Sequence, residues 1–383
     1  MKLNRSRSYI FAILAIAASF PRSVSATDTR AETVGASGLF IEDESNIWYY
    51  PAALLRYPDR LILNLGGQTS LLTPLSAMRT MSAFALPNGT VLGVAFGSAE
   101  KKVTFAPLTA EEQIHLFWSR PAGNRNYGLR ISRFGASREA APDYKRTVSV
   151  TQIHVGLEFE RSGGQVTETV ISIQRTNFSD FRNGEAVTEP MGYWELGGRA
   201  RWYADLSEGI RFINVLSVAA GRRGIRFLAS GPGTVTEKDE YITLQFGAAF
   251  EIIPQEGLLI IFHASGLFDY TVTRTSPETG KSGLTIWDIP QAGLGIEKWI
   301  KPWLALRAGA MLRLQLTDGK EVGANLSARA MRAYSAQTLG LAVRHDGFQA
   351  DMAIDPGMIR QGPHFMSGTS LPLFTKVTLI YNF

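Results

Sequence analysis

Apolar and polar residues alternate with a period of two along most of the chain after about residue 58. In residues 194–202 the even positions are Trp, Leu, Gly, Ala and Trp, while the odd positions are Glu, Gly, Arg and Arg. Residues 242–252 repeat the pattern, with Ile, Leu, Phe, Ala, Phe and Ile at the even positions. Successive side chains of a β-strand point to opposite faces, so each such segment predicts a strand with one apolar face. The chain is therefore expected to be an all-β protein.

Turn residues separate these segments in a regular order. Asn88-Gly89 lies between two apolar runs, which is the strongest short-range signal for a β-hairpin. Short turns are predicted near residues 88, 123, 162, 206, 255, 300 and 346, and longer polar loops near 75, 105, 140, 183, 230, 277, 325 and 363. Seven turns and eight loops connect sixteen strands. Fourteen strands is the alternative, because residues 61–65 and 210–220 carry the weakest strand pattern.

These strands are expected to close into a transmembrane antiparallel up-and-down β-barrel. Short turns that alternate with long loops are typical of such barrels, and a tilted strand of about ten residues spans a bilayer. A soluble sandwich would also alternate, but here aromatic residues stand at the ends of the apolar faces, as in interfacial girdles. The girdle candidates are Trp118, Trp194, Trp202, Trp299 and Trp303.

Residues 1–26 have the form of a cleaved secretory signal peptide. Lys2, Arg5 and Arg7 precede an apolar run, and Val24-Ser25-Ala26 supplies a plausible cleavage site. The segment holds four basic and no acidic residues, so its removal lowers the formal net charge from +5 to +1. The basic pI therefore gives no reason to expect a nucleic-acid partner. The absence of cysteine excludes disulfides and thiolate metal sites.

The last strand ends the chain on an aromatic residue. Val377, Leu379, Tyr381 and Phe383 form its apolar face, whereas most residues of the other parity are polar. This strand resembles the closing strand of bacterial outer-membrane barrels, whose terminal Phe is read by the assembly machinery. The resemblance implies an outer-membrane insertion signal at these four residues. It also implies that outer-membrane lipids and the barrel assembly machinery of a Gram-negative-type bacterium are partners.

The parity opposite the apolar face is expected to line the lumen. It carries charged residues of both signs, and a charge on the lipid face would cost about 2–4 kcal/mol. These side chains are interpreted either as a solvated, ion-paired wall or as a constriction that selects what passes. Glu297 and Arg307 lie on neighbouring strands and are expected to pair. The candidate lumen or ligand-binding residues are His154, Glu158, Glu195, Arg199, Arg201, Glu251, His263, Glu297 and Arg307.

Catalysis finds little support in the sequence. The five His residues do not match the spacing of a zinc-binding helix, and no nucleophile elbow is present. No Gly-rich phosphate-binding loop occurs either. We therefore expect no enzymatic activity, no cofactor and no metal.

Three stretches resemble FadL-type outer-membrane transporters and the related PorV-type barrels. The first is Glu42 to Leu55, an acidic stretch followed by Tyr-Pro-Ala where the family has Asn-Pro-Ala. The second joins residues 293–297 and 302–309, which resemble the family's "LGxE…LRxG" hairpin. The third is the hairpin formed by residues 339–353. Two features depart from the family: Tyr50 replaces its usual Asn, and sixteen strands exceed its fourteen.

Between the signal peptide predicted at 1–26 and the barrel predicted at 59–383, the resemblance implies a small periplasmic plug at 27–58. The plug residues would be Trp48, Tyr50, Pro51 and Leu54. The implied function is a passive channel for hydrophobic small molecules, with an apolar pocket beside the plug. Two alternatives stay open: a general water-filled porin, and a PorV-like docking scaffold for secreted proteins, whose lumen would be blocked.

Overall fold

The computed structural model describes residues 28–36, 38–66, 79–97, 104–105, 108–109, 112–141, 144–161, 165–182, 185–186, 191–228, 235–276, 280–321, 326–354 and 374–383. The predicted signal peptide at 1–26 lies outside these residues. Within the described part of the chain, no helix is long and apolar enough to cross a bilayer.

Sixteen antiparallel strands form one closed barrel. Each strand pairs with its neighbours in the chain, and the last strand pairs with the first, so the sheet has no free edge. This confirms the prediction of an all-β up-and-down barrel with sixteen strands rather than fourteen. The strands are β1 Arg60–Gly66, β2 Arg79–Ala85, β3 Val91–Gly97, β4 Glu112–Ala122, β5 Arg125–Ala141, β6 Tyr144–Arg161, β7 Gln165–Arg182, β8 Met191–Ser207, β9 Ile210–Leu228, β10 Val235–Gln255, β11 Leu258–Ser276, β12 Gly280–Lys301, β13 Leu304–Glu321, β14 Leu326–His345, β15 Phe348–Ile354 and β16 Phe374–Asn382.

Short turns join the strands at one end of the barrel, which we call the turn end. The Asn88-Gly89 hairpin is formed as predicted: Gly89 adopts a φ of 77°, and the Thr90 amide donates to Asn88 Oδ1 at 3.0 Å. Both ends of the barrel sequence lie here, where the Phe383 amide donates to the Asp59 carbonyl at 3.0 Å. The opposite end is called the loop end.

The predicted strand length of about ten residues is wrong for the middle of the chain. Strands β5 to β14 have 17 to 22 residues, so the connections near 140, 277 and 325 are short rather than long. The extra residues lie at the loop end, where residues 328–337 of β14 are exposed apart from the half-buried Tyr334 and Ala336. Alternation disappears there because neither face is buried, although backbone pairing continues.

The outer face of the barrel is apolar over its middle part. Ile153 is 41% exposed, Ile171 62%, Leu196 61% and Phe246 44%, and all four point away from the lumen. Along β8 this apolar face runs from Trp194 to Trp202. Eight residue steps give about 27 Å along the strand, or roughly 20 Å of height at a tilt of 35–45°. This height is close to the apolar band of membrane barrels.

In the part of the chain that the structure describes, three short helical elements precede β1 and lie inside the barrel. They are the helices α1 (Asp28–Thr33) and α2 (Asn46–Tyr49) and the 3-10 helix Pro51–Arg56. We call residues 28–36 and 38–57 the inner segment. Most of its residues are buried, including Val34, Ile47 and Ala53, which are 0% exposed. The inner segment thus packs against the inward face of the wall on the turn-end side.

Candidate functional site

The site is the contact between the inner segment and the inward face of the barrel wall. Its first anchor is Arg30 on α1, whose Nε and Nη2 donate to the two carboxylate oxygens of Glu297 at 2.7 and 2.9 Å. Arg307 donates to the same carboxylate at 2.6 Å and to Asp351 Oδ1 at 2.9 Å. Glu297 and Arg307 are direct partners on β12 and β13, as their positions in the sequence indicate. Two arginines and two carboxylates therefore balance each other in a buried cluster.

Hydroxyl groups fix α1 to the closing strands. Thr29 Oγ1 lies 2.6 Å from Thr378 Oγ1 on β16, and both residues are 0% exposed. The hydroxyl of Thr338 on β14 donates to the Thr33 carbonyl at 2.9 Å. These contacts join residues more than 300 positions apart. They hold α1 against the seam where the barrel closes.

The second anchor is Arg201 on β8, which is 0% exposed. Its Nε donates to Glu168 Oε2 at 2.6 Å, and its Nη2 donates to Asn46 Oδ1 at 2.9 Å. The same guanidinium donates to the Leu39 carbonyl at 3.2 Å and lies 4.4 Å from the centre of the Tyr50 ring. One wall side chain thus binds both the chain before α2 and the residues that follow it.

The third anchor is Arg56, at the end of the 3-10 helix. Glu158 and Glu168 stand directly opposite each other on β6 and β7, and Arg56 forms ion pairs with both. Arg56 also pairs with Glu42 of the inner segment. Without this guanidinium the two wall carboxylates would face each other in a partly buried site, which repulsion and desolvation disfavour.

Glycines in the wall make room for the inner segment. A Cβ on Gly128 would lie 2.6 Å from Ala52 Cα, and one on Gly247 would lie 2.5 Å from the Phe40 ring. A third group stands beside residues 33–35. A Cβ on Gly293 would lie 2.7 Å from the Gly35 carbonyl oxygen, and one on Gly340 would lie 2.7 Å from Thr33 Cβ. A Cβ on Gly295 would lie 2.8 Å from the Val34 carbonyl carbon, and one on Gly309 would lie 2.5 Å from the same atom. Real Cβ atoms do not approach other heavy atoms this closely, so the close packing requires these glycines.

An apolar cluster completes the contact near β2 to β4. The Trp48 ring meets Phe117 edge-on at 5.3 Å and His115 at 4.9 Å. Leu54 is 0% exposed in the same cluster, and Leu55 packs partly against it. Trp48, Leu54 and Leu55, which the resemblance would place in the lining of an apolar pocket beside the plug, are therefore packed against the wall.

Tyr50 stands where the resembled family has Asn, and it is 1% exposed. Burial raises the pKa of its hydroxyl to about 12, although the nearby Arg201 and Arg199 oppose this shift. Tyr50 is therefore neutral at physiological pH. Its ring supports the Arg201 guanidinium, a contact that an Asn would not provide.

The remaining predicted lumen residues face inward, and most meet the inner segment or its partners. His154 Nε2 lies 2.7 Å from Arg130, which also donates to the Trp48 carbonyl. His263 Nε2 lies 2.8 Å from the Gly35 carbonyl, and its ring stacks on Phe40 at 5.2 Å. The Arg199 guanidinium lies 4.9 Å from the centre of the Tyr49 ring. Glu251 is buried and lies 3.9 Å from Arg211, and Glu195 is half-buried nearer the loop end. Their role in ligand binding stays a prediction.

Several residues of the site were not singled out from the sequence. Arg30, Arg56 and Arg60 lie in a stretch without strand periodicity, so no parity argument applies to them. Arg60 binds Glu44 at 2.5 Å, which fixes the inner segment to the start of β1. Glu168 has the inward parity of β7, and this signal would have found it.

The loop-end half of the lumen has a different lining on β5 to β8. Phe134, Val150, Thr176 and Tyr193 are direct neighbours across these four strands, and each is 4% exposed or less. Gln152 and Gln174 lie next to this row on the turn-end side and bond to each other at 2.5 Å. Apart from Thr176, this inward-facing sector of the wall is apolar and aromatic, and its side chains are buried.

The residues of the predicted insertion signal lie at the barrel seam. Val377, Leu379 and Tyr381 are half-buried on the outer face of β16, and the Phe383 ring lies 5.4 Å from Phe84. Recognition of these residues by an assembly machinery stays a prediction.

The fold and site define a closed sixteen-stranded antiparallel barrel with an internal N-terminal segment. No family model and no curated protein matches the sequence. Among solved structures, CdiB from Escherichia coli is similar at 12% identity and a TM-score of 0.44, over 85% of this chain and 62% of that one. CdiB from Acinetobacter baumannii is similar at 11% identity and a TM-score of 0.45, over 84% and 59%. This chain therefore spans about three fifths of the length of either CdiB protein.

A third similar structure is the Pseudomonas putida toluene transporter TodX. It has 10% identity and a TM-score of 0.41, and the match covers 94% of this chain and 99% of TodX. These identities and scores do not place the chain in the family of CdiB or in that of TodX.

Proposed function

We propose that this chain is an outer-membrane barrel that passes small apolar molecules, and that its inner segment closes the periplasmic end of the lumen. The membrane assignment is supported by the apolar outer face, on which residues such as Ile171 and Leu196 are about three fifths exposed. A soluble protein rarely exposes a continuous apolar surface of this size. A closed barrel pairs every backbone group within the sheet, as the hydrocarbon core of a bilayer requires.

The orientation follows from the two ends of the barrel. The short turns and both ends of the barrel sequence lie at the turn end, which we assign to the periplasm. The longest strand extensions and connections lie at the loop end, which we assign to the cell exterior. Membrane barrels with an even number of strands have this arrangement.

Closure of the lumen is supported by the buried contacts of the inner segment. Arg30 donates twice from this segment to Glu297 of the wall, and Arg201 of the wall donates to Asn46 and to the Leu39 carbonyl of the segment. Such a filled lumen disfavours a permanently open, water-filled porin. One observation carries the proposal: the inner segment occupies the lumen at the turn end, and the wall on its loop-end side has an apolar sector.

Apolar cargo is supported by the row Phe134, Val150 and Tyr193 above the inner segment. Binding sites for small apolar molecules are lined mainly by such side chains, with a few polar groups for orientation. Gln152 and Gln174 supply polar groups at the edge of this sector. A molecule that enters from the loop end would rest here until the inner segment shifts.

A docking scaffold for a secreted protein is the second candidate. It is favoured by the same buried contacts, because a segment held by Arg30, Arg56 and Arg201 has little reason to move. The two candidates differ in one respect. A channel must open during its cycle, whereas a scaffold does not.

The test is single-channel conductance of the refolded mature barrel in planar bilayers, with and without residues 27–58, together with uptake of an apolar dye into liposomes. For a channel we expect a silent intact protein, conductance after the deletion, and dye uptake by the intact protein. A steady conductance of the intact protein would overturn closure and indicate a porin. Absence of dye uptake by the intact protein, with conductance after the deletion, would favour the docking scaffold.

A further inference from the structure

A row of polar and charged side chains crosses the outer face of the barrel just above its apolar part. Arg133 on β5, Thr151 on β6 and Arg175 on β7 are direct neighbours in the strand pairing. Arg133 and Arg175 are exposed, while the residues on either side of each in the chain are buried toward the lumen. Strands lie about 4.8 Å apart, so the two guanidinium-bearing residues flank Thr151 across about 10 Å.

An aromatic side chain extends this row. Trp194 on β8 is 59% exposed, and the Arg175 guanidinium lies 5.7 Å from the centre of its ring. The Nε of Arg175 also donates to Asn177 Oδ1 at 3.1 Å. These two contacts hold the Arg175 side chain along the barrel surface. Tryptophan at this height is typical of the boundary between hydrocarbon and headgroups.

Directly below the row lies an apolar surface of two further rows. Ile131, Ile153 and Ile173 are direct neighbours on the same three strands, and they are 39%, 41% and 43% exposed. The next row toward the turn end is Leu129, Val155 and Ile171. The surface therefore presents two cations and a hydroxyl above six aliphatic side chains.

We propose that this surface binds one phosphorylated glycolipid of the outer leaflet, with its phosphates on Arg133 and Arg175 and its acyl chains along the two aliphatic rows. The proposal rests on the outer-membrane placement and the orientation given above. Arginine suits this role because its planar donors bind phosphate oxygens in pairs and its charge persists at any physiological pH. The neighbouring Arg222 is already paired with Glu240 at 3.2 Å, which leaves Arg133 and Arg175 as the principal phosphate contacts.

The test measures binding of diphosphoryl lipid A to the folded mature barrel in detergent by native mass spectrometry. The double variant Arg133→Gln/Arg175→Gln should weaken binding by about an order of magnitude or more, since it removes two cations from the headgroup level. A matched control is Arg120→Gln/Arg125→Gln, which removes two exposed, outward-facing arginines at the turn end. The control should bind as the unmodified protein does. Heat-modifiable mobility on gels shows that each variant is folded, and Arg133→Gln alone is the milder variant.

Three results would overturn the proposal. The first is binding of diphosphoryl lipid A no tighter than that of phosphatidylcholine. The second is an equal loss in the control pair, which would indicate attraction by net charge alone. The third is equally tight binding of phosphatidylglycerol, which would indicate a general preference for anionic lipid. None of these results depends on conductance, so failure of this inference leaves the channel proposal to its own test.

Discussion

Replacement of Arg201 by methionine should release the inner segment. Methionine keeps most of the side-chain length but removes the bonds to Glu168, Asn46 and the Leu39 carbonyl. Glu168 belongs to the wall, so only the bonds to Asn46 and the Leu39 carbonyl hold the inner segment. A hydrogen bond to a charged group contributes about 1.5–3 kcal/mol, and the lower end for each of these two bonds gives about 3 kcal/mol.

The expected effect on opening follows from that free energy. About 3 kcal/mol corresponds to a roughly 100-fold larger population of the open form, since 1.4 kcal/mol is a factor of ten. The matched control is Arg199→Met, two residues along the same inward face. Arg199 is half-buried and contacts the Tyr49 ring at 4.9 Å, a contact worth about 0.5–1 kcal/mol. The control should open no more than about fivefold more often than the parent.

The assay uses the absence of cysteine from the chain. Ser45→Cys places a single thiol next to Asn46, at a position that is 4% exposed. The rate of maleimide labelling then reports the open population when closing is fast. In this background Arg201→Met should label about 100-fold faster, with the heat-modifiable mobility of the barrel unchanged. Labelling of Arg201→Met no faster than that of Arg199→Met would refute the assignment of Arg201 as an anchor.

Three further outcomes are expected. The double variant Thr29→Cys/Thr378→Cys should form a disulfide, because the two Oγ1 atoms are 2.6 Å apart. The disulfide should abolish uptake of the apolar dye until it is reduced. Dye uptake under oxidising conditions would contradict a channel that opens by movement of the inner segment. Gly309→Ala should lower stability by about 1–3 kcal/mol in urea unfolding, whereas Gly319→Ala, whose nearest neighbouring atom is 3.8 Å from the new Cβ, should not. Ile171→Lys should cost about 2–4 kcal/mol in bilayer refolding, and a neutral result would contradict lipid exposure there.

The closed sheet was predictable from the sequence because successive side chains of a membrane strand face apolar and polar surroundings in turn, and the sequence shows this alternation. In β8 the odd positions Glu195, Arg199 and Arg201 face inward, and the even positions Trp194 and Trp202 face outward, as the alternation indicates. Above the apolar belt this signal fails. None of residues 328–337 is buried on either face, so alternation no longer marks a strand that backbone pairing nevertheless extends.

The contacts of the inner segment were beyond prediction from local pattern. Arg201 and Asn46 are 155 positions apart, and the pairing of Arg30 with Glu297 spans 267 positions. Parity places Gly295 and Gly309 on the inner face but does not say what fills the space beside them. That information depends on where the inner segment lies, and its short helices have no period that points to one part of the wall.

The charged lumen has a different meaning once these contacts are known. From parity alone, inward Arg and Glu residues are as consistent with a hydrophilic pore as with a paired wall. Here Glu297, Arg307 and Asp351 are 3% exposed or less, and their charges are balanced by one another and by Arg30. Charges that are already paired and buried offer little to a passing ion. The charge of this lumen therefore holds the inner segment in place, and it supports closure rather than ion conduction.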